Sequence, residues 1–442
     1  MKSFLVLGAG KSSVFLIERL NSYVIPLGGR VTVADLNARL LEERCQGLEG
    51  VRPFVLEGAD PEYRKTLIET HDVVVSLLPP EAHAGVALQC LAAGRHLVTA
   101  SYVSEAMDKL HSEAEAAGLI FLNECGLDPG IDHISALILR DKVRAAGGRI
   151  TGFISACGGL VARASDNQPW GYKLSWNPRN VVLAGQGGSA LYLENGHVRL
   201  CPPHRLFELS HPLTLPDGEV FDMYANRDSL SYVALYDLTE CSTFIRGTLR
   251  RRPFCQAWHA LVYAGFTDHS VRLPQLEGKP RKELALALGI RHLEDLFKGA
   301  GDPNPEVRSA LEYLDLFSEE PLNYCLEPTA AGYLQDILEH KWRLEPQDRD
   351  RIVLVHQMDY AVEGRRRRHI SWLSEEGQDA VHTAMARTVG LPLAEAAILT
   401  AENRIGQRGV LRPVVPEIYR PLWRVLTEKY HLSFQEMDTA ME

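Results

Sequence analysis

The first 130 residues constrain the fold most, through their rhythm. Residues 3–7 (SFLVL), 30–34 (RVTVA), 72–78 (DVVVSLL), 96–100 (HLVTA) and 119–122 (LIFL) are short and apolar almost throughout. A strand has this character when both its faces are buried, as in a parallel sheet covered by helices. Helical patterns fill the intervals at 12–20, 36–45, 61–70, 81–93 and 104–117. Parallel neighbours cannot be joined by a tight hairpin, so each return needs a crossover of helix length. The alternation therefore predicts an α/β fold, a Rossmann-type doubly wound parallel sheet.

After residue 130 the rhythm changes. A helix is expected at 132–145, ended by Gly147-Gly148, then an alternating strand at 149–157. Asn195-Gly196, Asp217-Gly218 and Glu363-Gly364 are turn dipeptides between strand-like runs, and the last would pair 352–355 with 369–373. This stretch reads as a larger α+β domain with a mixed or antiparallel sheet and a small helical subdomain at about 275–345. The expected division is a dinucleotide-binding domain at 1–130, completed by about 383–442, and a substrate domain at 131–382.

Composition excludes some functions. The 442 residues carry 47 Lys and Arg against 57 Asp and Glu, a net charge of -10. Neutralised phosphates supply most non-specific affinity for nucleic acid, so no nucleic-acid partner is expected. No apolar run approaches the ~18 residues of a membrane helix, and the run at 4–7 is far too short for a secretory leader. None of the eight cysteines falls at C-x-x-C spacing. That gives no local support for a metal site and fits reduced thiols in a cytoplasmic protein.

Gly8-Ala9-Gly10-Lys11-Ser12-Ser13 follows the first expected strand and opens the first expected helix. The first glycine permits the tight turn. The second lets main-chain N–H groups approach a pyrophosphate at the positive end of the helix. Small Ser13 replaces the usual third glycine. A phosphate loop of the NTPase kind needs a glycine where this chain has Leu5, so that reading fails. Asp35 ends the second expected strand and should accept hydrogen bonds from the adenosine ribose, which favours NAD. Lys11 and Arg39 keep NADP open. Leu78, Ala100 and Ser101 follow the fourth and fifth expected strands, at the carboxyl edge where such sheets bind ligands.

The run Asn123-Glu124-Cys125-Gly126-Leu127-Asp128-Pro129-Gly130-Ile131-Asp132-His133 resembles the saccharopine dehydrogenase family. The resemblance continues at Cys157-Gly158-Gly159, at 169–176, at Asn226-Arg227-Asp228-Ser229 and at Arg246-Gly247-Thr248-Leu249-Arg250. It covers nearly the whole chain and is closer to the glutamate-forming enzymes than to the polyamine-pathway relatives. It implies a homodimer and reversible NAD(P)-linked conversion of saccharopine to glutamate and 2-aminoadipate 6-semialdehyde, an oxidoreductase step of lysine metabolism. It also implies cofactor contacts from Leu127, Asp128 and Pro129, and places Tyr102 and Cys157 near the imine. Two departures stand out. Fungal relatives that use NADP carry Cys-Arg where this chain has Asp35-Leu36, and their Pro-Ala-Pro-Glu stretch is replaced by Val161-Ala162-Arg163-Ala164.

Saccharopine has three carboxylates, which an acidic enzyme must hold with fixed cations. Arg227 and Arg250 are the expected clamps, because a guanidinium binds a carboxylate through two parallel hydrogen bonds. Ser101, Tyr102, Asp128, Thr248 and Leu249 are expected beside the ligand, and Lys173 and Trp176 along its cleft. Asp128, Tyr102 and Cys157 are the expected proton-handling residues, while Asp132 and His133 should cap and pack the following helix. A related imine reductase of carboxynorspermidine or opine type stays open, as does a non-catalytic nucleotide-binding regulator on the same fold.

Overall fold

In the computed structural model, which describes residues 2–58, 61–297 and 304–441, the apolar runs become one parallel sheet. Its strands are Ser3–Leu7 (β1), Arg30–Asp35 (β2), Val51–Val55 (β3), Val73–Ser76 (β4), His96–Thr99 (β5), Ile120–Leu122 (β6) and, from late in the chain, Gly409–Leu411 (β15). The order is β15-β6-β5-β4-β1-β2-β3. Phe4, Leu5, Val6, Val73, Val74 and Val75 have no exposed surface, which accounts for the unbroken apolar runs. Each such side chain contributes about 1.5–3 kcal/mol. Strand order reverses at β1, which lies between β4 and β2, so the residues following those strands gather at the switch point.

This sheet belongs to a unit made of Met1–Lys142 and Val381–Ser433. The helix Val14–Val24 follows the glycine loop and buries Leu16, Ile17, Leu20 and Val24. A late helix, Ala384–Ala401, packs against it. Thr383 caps that helix by accepting from the Ala386 N–H at 2.9 Å. Nearly all of it is buried, which suits a helix that is apolar all round. Gly390 makes the approach possible, because a Cβ there would stand 2.8 Å from the Leu16 nitrogen.

The second unit comprises Val143–Ala380 and Phe434–Glu442. Its strands are Arg149–Val161 (β7), Ala190–Glu194 (β8), His197–Cys201 (β9), His211–Thr214 (β10), Val220–Ala225 (β11), Thr243–Arg250 (β12), Asp350–Val362 (β13), Arg365–Glu376 (β14) and Phe434–Ala440 (β16). The main path runs β10-β11-β12-β7-β13-β14-β16, with β8 and β9 beside it. The pairs are antiparallel except β7 with β12. Asn195 and Gly196 (φ 50° and 78°) turn β8 into β9, and Glu363 and Gly364 (φ 50° and 73°) turn β13 into β14. Two-residue turns with both φ positive match the twist of the strands they join. In the resulting register Leu354 lies opposite Leu373 and Val355 opposite Trp372.

The two faces of this sheet differ. One carries Ala156, Leu160, Ile245, Leu249, Val353 and Val355. Against the other lies a cluster with Trp170, Tyr172, Phe254, Trp258 and Trp342, supported by the helices Arg281–Ala287, Pro305–Tyr313 and Ala330–Lys341. Residues 298–303 of the expected helical segment lie outside the described residues. The end of the chain differs from the expected division. Phe434–Ala440 does not join the first sheet but pairs with β14, with Met437 opposite Ile370 and the Tyr360 hydroxyl donating to Asp438 at 2.6 Å.

Candidate active site

The glycine loop has the geometry of a phosphate cradle. Gly8 has φ +103° and donates its N–H to the Ala34 carbonyl at 2.8 Å. A side chain there would crowd the Leu77 carbonyl at 3.2 Å, whereas Gly10 faces open space. The Ser13 hydroxyl folds back onto the Gly10 carbonyl at 2.8 Å. Among the described residues the N–H groups of Gly10 and Ser12 donate to no protein acceptor. With the exposed Lys11 between them, they fit a dinucleotide pyrophosphate at the start of the helix.

Asp35 does something other than expected. Its Oδ2 accepts from the Ala9 N–H at 2.7 Å and its Oδ1 from the Asn37 N–H at 2.9 Å. The carboxylate ties the glycine loop to the start of the helix Ala38–Cys45, so both oxygens already have main-chain donors. Arg39 is exposed and paired with Glu43 at 3.0 Å.

At the ends of β4 and β5 a second cluster forms. His83, a residue the sequence did not single out, bridges Ser76 Oγ at 3.0 Å and Ser101 Oγ at 2.8 Å. Burial pushes its pKa down to about 4, so the ring is neutral at ordinary pH. Beside Ser101, the half-exposed Tyr102 donates its hydroxyl to Asp128 Oδ1 at 2.8 Å. Two residues expected to handle protons are thus joined. Asp128 sits in a closed turn: the Gly126 N–H donates to the Pro129 carbonyl at 2.8 Å and the Asp132 N–H to the Leu127 carbonyl at 3.0 Å. Gly126 also lets this turn approach Ala100, since a Cβ there would be 3.1 Å from the Ala100 Cβ. Leu127 is buried and Leu78 half-buried, so both present mainly backbone and partial apolar surface.

Beneath the turn lies a buried charge network. Glu124 Oε2 meets His133 Nε2 at 2.9 Å, and Glu124 Oε1 accepts from Arg412 Nε at 2.9 Å and from the Val103 N–H at 3.0 Å. Burial alone would raise the Glu124 pKa. His133, Arg412 and Val103 outweigh it and hold the carboxyl at about 2. Asp132, in the first turn of the helix Ile131–Ala145, accepts through Oδ1 from the Gly130 N–H at 2.6 Å, and His133 pairs with Glu124.

In the second unit, Arg250 dominates. It is buried, with 4% exposure, and its guanidinium lies 5.0 Å from the Tyr172 ring centre, 5.1 Å from Phe254 and 5.8 Å from Tyr224. One nitrogen donates to the Leu249 carbonyl at 2.9 Å, and Nε has no hydrogen-bond partner. Among the described residues no carboxylate lies within ion-pair distance of it. Cys157 is buried on the neighbouring strand, opposite Thr248, and strand alternation puts Cys157, Thr248 and Arg250 on one face. Burial holds the Tyr172 and Tyr224 hydroxyls above their ordinary pKa.

Four other residues expected along the ligand are placed as follows. The Leu249 side chain points to the opposite, apolar face and is fully buried in it, leaving only its carbonyl near Arg250. Lys173 is buried in an ion pair with Asp348 at 2.6 Å, and Trp176 donates to the Tyr172 hydroxyl at 2.9 Å, supporting the ring that covers Arg250. Arg227 differs in kind from Arg250: it is exposed, and its guanidinium lies against the Gly187 backbone, where a Cβ would meet it at 2.7 Å.

Comparison with known proteins gives concordant results. Residues 4–122 match the family described as the saccharopine dehydrogenase NADP binding domain, and residues 126–431 its C-terminal domain. The saccharopine dehydrogenase [NADP(+), L-glutamate-forming] of Pyricularia oryzae is 32% identical over 99% of this chain and 99% of its own length. The alpha-aminoadipic semialdehyde synthase of Arabidopsis thaliana is 32% identical over 92% of this chain, and the match spans 40% of that longer protein. The structure of apo histidine-tagged saccharopine dehydrogenase (L-Glu forming) from Saccharomyces cerevisiae superposes with a TM-score of 0.86 at 30% identity, covering all of both chains. These relatives overturn the NAD preference expected from Asp35, since the fungal enzymes are named for NADP(+). In the structure the Asp35 carboxylate serves the loop itself, accepting from the Ala9 and Asn37 N–H groups.

Proposed function

Since this chain belongs to the saccharopine dehydrogenase family, we propose that it catalyses the reversible, NADP-linked oxidation of saccharopine at its CH–NH bond. Saccharopine, NADP+ and water give glutamate, 2-aminoadipate 6-semialdehyde, NADPH and a proton. The observation that carries this reading is Arg250, a buried cation with an unmet Nε and no acidic partner among the described residues. A substrate carboxylate is the natural complement to such a group.

The bound nicotinamide supplies the hydride chemistry. The chain's own residues bind and manage protons. Gly10 and Ser12 offer N–H groups to the pyrophosphate. Arg250 fixes one substrate carboxylate while Tyr172, Tyr224 and Phe254 exclude water around it. The secondary amine must lose a proton before hydride leaves, and hydrolysis of the resulting imine needs a directed water molecule. Asp128, aimed by the Tyr102 hydroxyl, is assigned both tasks, with the Cys157 thiol as a further donor beside Arg250. Arg227 takes a second, solvent-facing carboxylate.

The partner is a small amino-acid conjugate, and among the described residues no helix is long and apolar enough to cross a membrane. The resemblance brings a second copy of the chain as partner, which sedimentation velocity over a range of concentrations would test. All eight cysteines are free thiols, which suits the reducing cytoplasm. The decisive assay incubates purified protein with saccharopine and NADP+, follows NADPH and identifies both carbon products. NADPH formed with carboxynorspermidine or an opine but not with saccharopine would sink the assignment, and cofactor binding without turnover would favour a regulator.

A further inference from the structure

Tyr102 is an exposed residue on a short connection between β5 and the helix Glu105–Asp108. Its hydroxyl is useful only if held on Asp128, so the connection itself must be fixed. Glu124 grips it at two points. The Glu124 N–H donates to the Ser101 carbonyl at 3.1 Å, and the Glu124 carboxylate accepts from the Val103 N–H at 3.0 Å. These bonds straddle Tyr102. Glu124 is in turn pinned by His133 and Arg412, each at 2.9 Å, and its side chain is 1% exposed.

The backbone of Glu124 is also unusual. Its φ of +60° lies in the left-handed region, which a residue with a Cβ adopts at a cost and keeps only where its surroundings over-determine it. A glycine would remove that cost but also the carboxylate that reaches Val103. We propose that Glu124 is a positioning residue for Tyr102: its main chain and carboxylate clamp Ser101 and Val103 so that the Tyr102 hydroxyl stays on Asp128. The inference rests on the reading above, in which the Tyr102 hydroxyl aims Asp128. The low pKa of the carboxyl, about 2, keeps the clamp ionised throughout any working pH range.

A double-mutant cycle between Glu124→Gln and Tyr102→Phe tests it, with saccharopine and NADP+ as substrates. Glu124→Gln should lower kcat about tenfold or more while the NADPH dissociation constant, read by fluorescence titration, stays within about twofold. In the Tyr102→Phe background the same change should cost less than about twofold, because the hydroxyl it positions is gone. Penalties that multiply would overturn the proposal. A Tyr102→Phe enzyme running at the wild-type rate would instead sink the role of Tyr102, and positioning with it, and the single variant tells these failures apart. Should Glu124→Gln not fold, Glu124→Asp carries the same cycle. It keeps the charge and tolerates the left-handed backbone, yet is one methylene too short to reach Val103.

Discussion

Arg250 is a residue whose energetics run against the fold that contains it. A buried guanidinium without a counter-charge has lost hydration that three aromatic rings, at about 0.5–2 kcal/mol each, only partly replace. Replacing it by Met, of similar length and without charge, should therefore leave the melting temperature unchanged or raise it, as measured by calorimetry. The same substitution should raise the KM for saccharopine by the equivalent of about 2–5 kcal/mol, with NADPH affinity unchanged. A falling melting temperature with normal KM would make Arg250 a structural residue. His83 behaves in the opposite way. Its folded pKa of about 4 lies below the ordinary 6.5, so on acidification the unfolded chain takes up the proton first. The stability from the neutral, Ser-bridging ring is full above about pH 6.5 and lost as pH falls towards 4. His83→Asn should flatten that part of a stability–pH profile, and an unaltered profile would contradict the buried neutral ring. Arg250 was legible in the sequence because its block carried a family pattern. His83 was not, because its partners Ser76 and Ser101 are brought to it only by the pairing of β4 with β5.

At the level of elements, the contact between the helices Val14–Val24 and Ala384–Ala401 determines where the glycine loop sits. A Cβ at position 390 would press on the Leu16 nitrogen at 2.8 Å and the Ser12 carbonyl at 3.2 Å. Gly390→Ala should thus cost about 1–3 kcal/mol of stability by overpacking. It should also weaken NADPH binding measured by fluorescence titration, since the displaced backbone belongs to the loop proposed to hold the pyrophosphate. Unchanged binding would mean that the late helix yields instead. The five apolar strands and two of the hairpins were readable because burial on both faces, and turns with two positive φ values, each leave a distinct residue pattern. Val51–Val55 left none: it is an edge strand, mostly exposed, with Pro53 in its middle. Gly409–Leu411, at three residues, is too short to show a period. The role of Asp35 was misread for a related reason. A strand-end acid in sequence looks the same whether it faces a ribose or the Ala9 amide, and only the coordinates tell the two apart.

The chain divides unevenly into two units, one built on the parallel sheet and one that holds the tryptophan cluster. NADP+ at a hundred times its dissociation constant should stabilise the first unit by about 2.7 kcal/mol. Amide exchange at β1, β4 and β5 that requires global opening should then slow roughly a hundredfold, and unaltered rates would show that the ligand binds elsewhere. The first unit is also discontinuous: after Lys142 the chain leaves it and does not return until Val381. During synthesis on a ribosome this order has a price in time. At about 5–20 residues per second, the nascent parallel sheet waits roughly 10–50 s for β15 and for the helix that covers Val14–Val24. Throughout that interval the edge of β6 has no neighbour and the apolar flank of the first helix is wet, a state that aggregates or recruits a chaperone. The unit with the parallel sheet is therefore interrupted by the other, and a polypeptide halted at residue 380 would hold every residue of the glycine loop and still lack the helix that packs behind it.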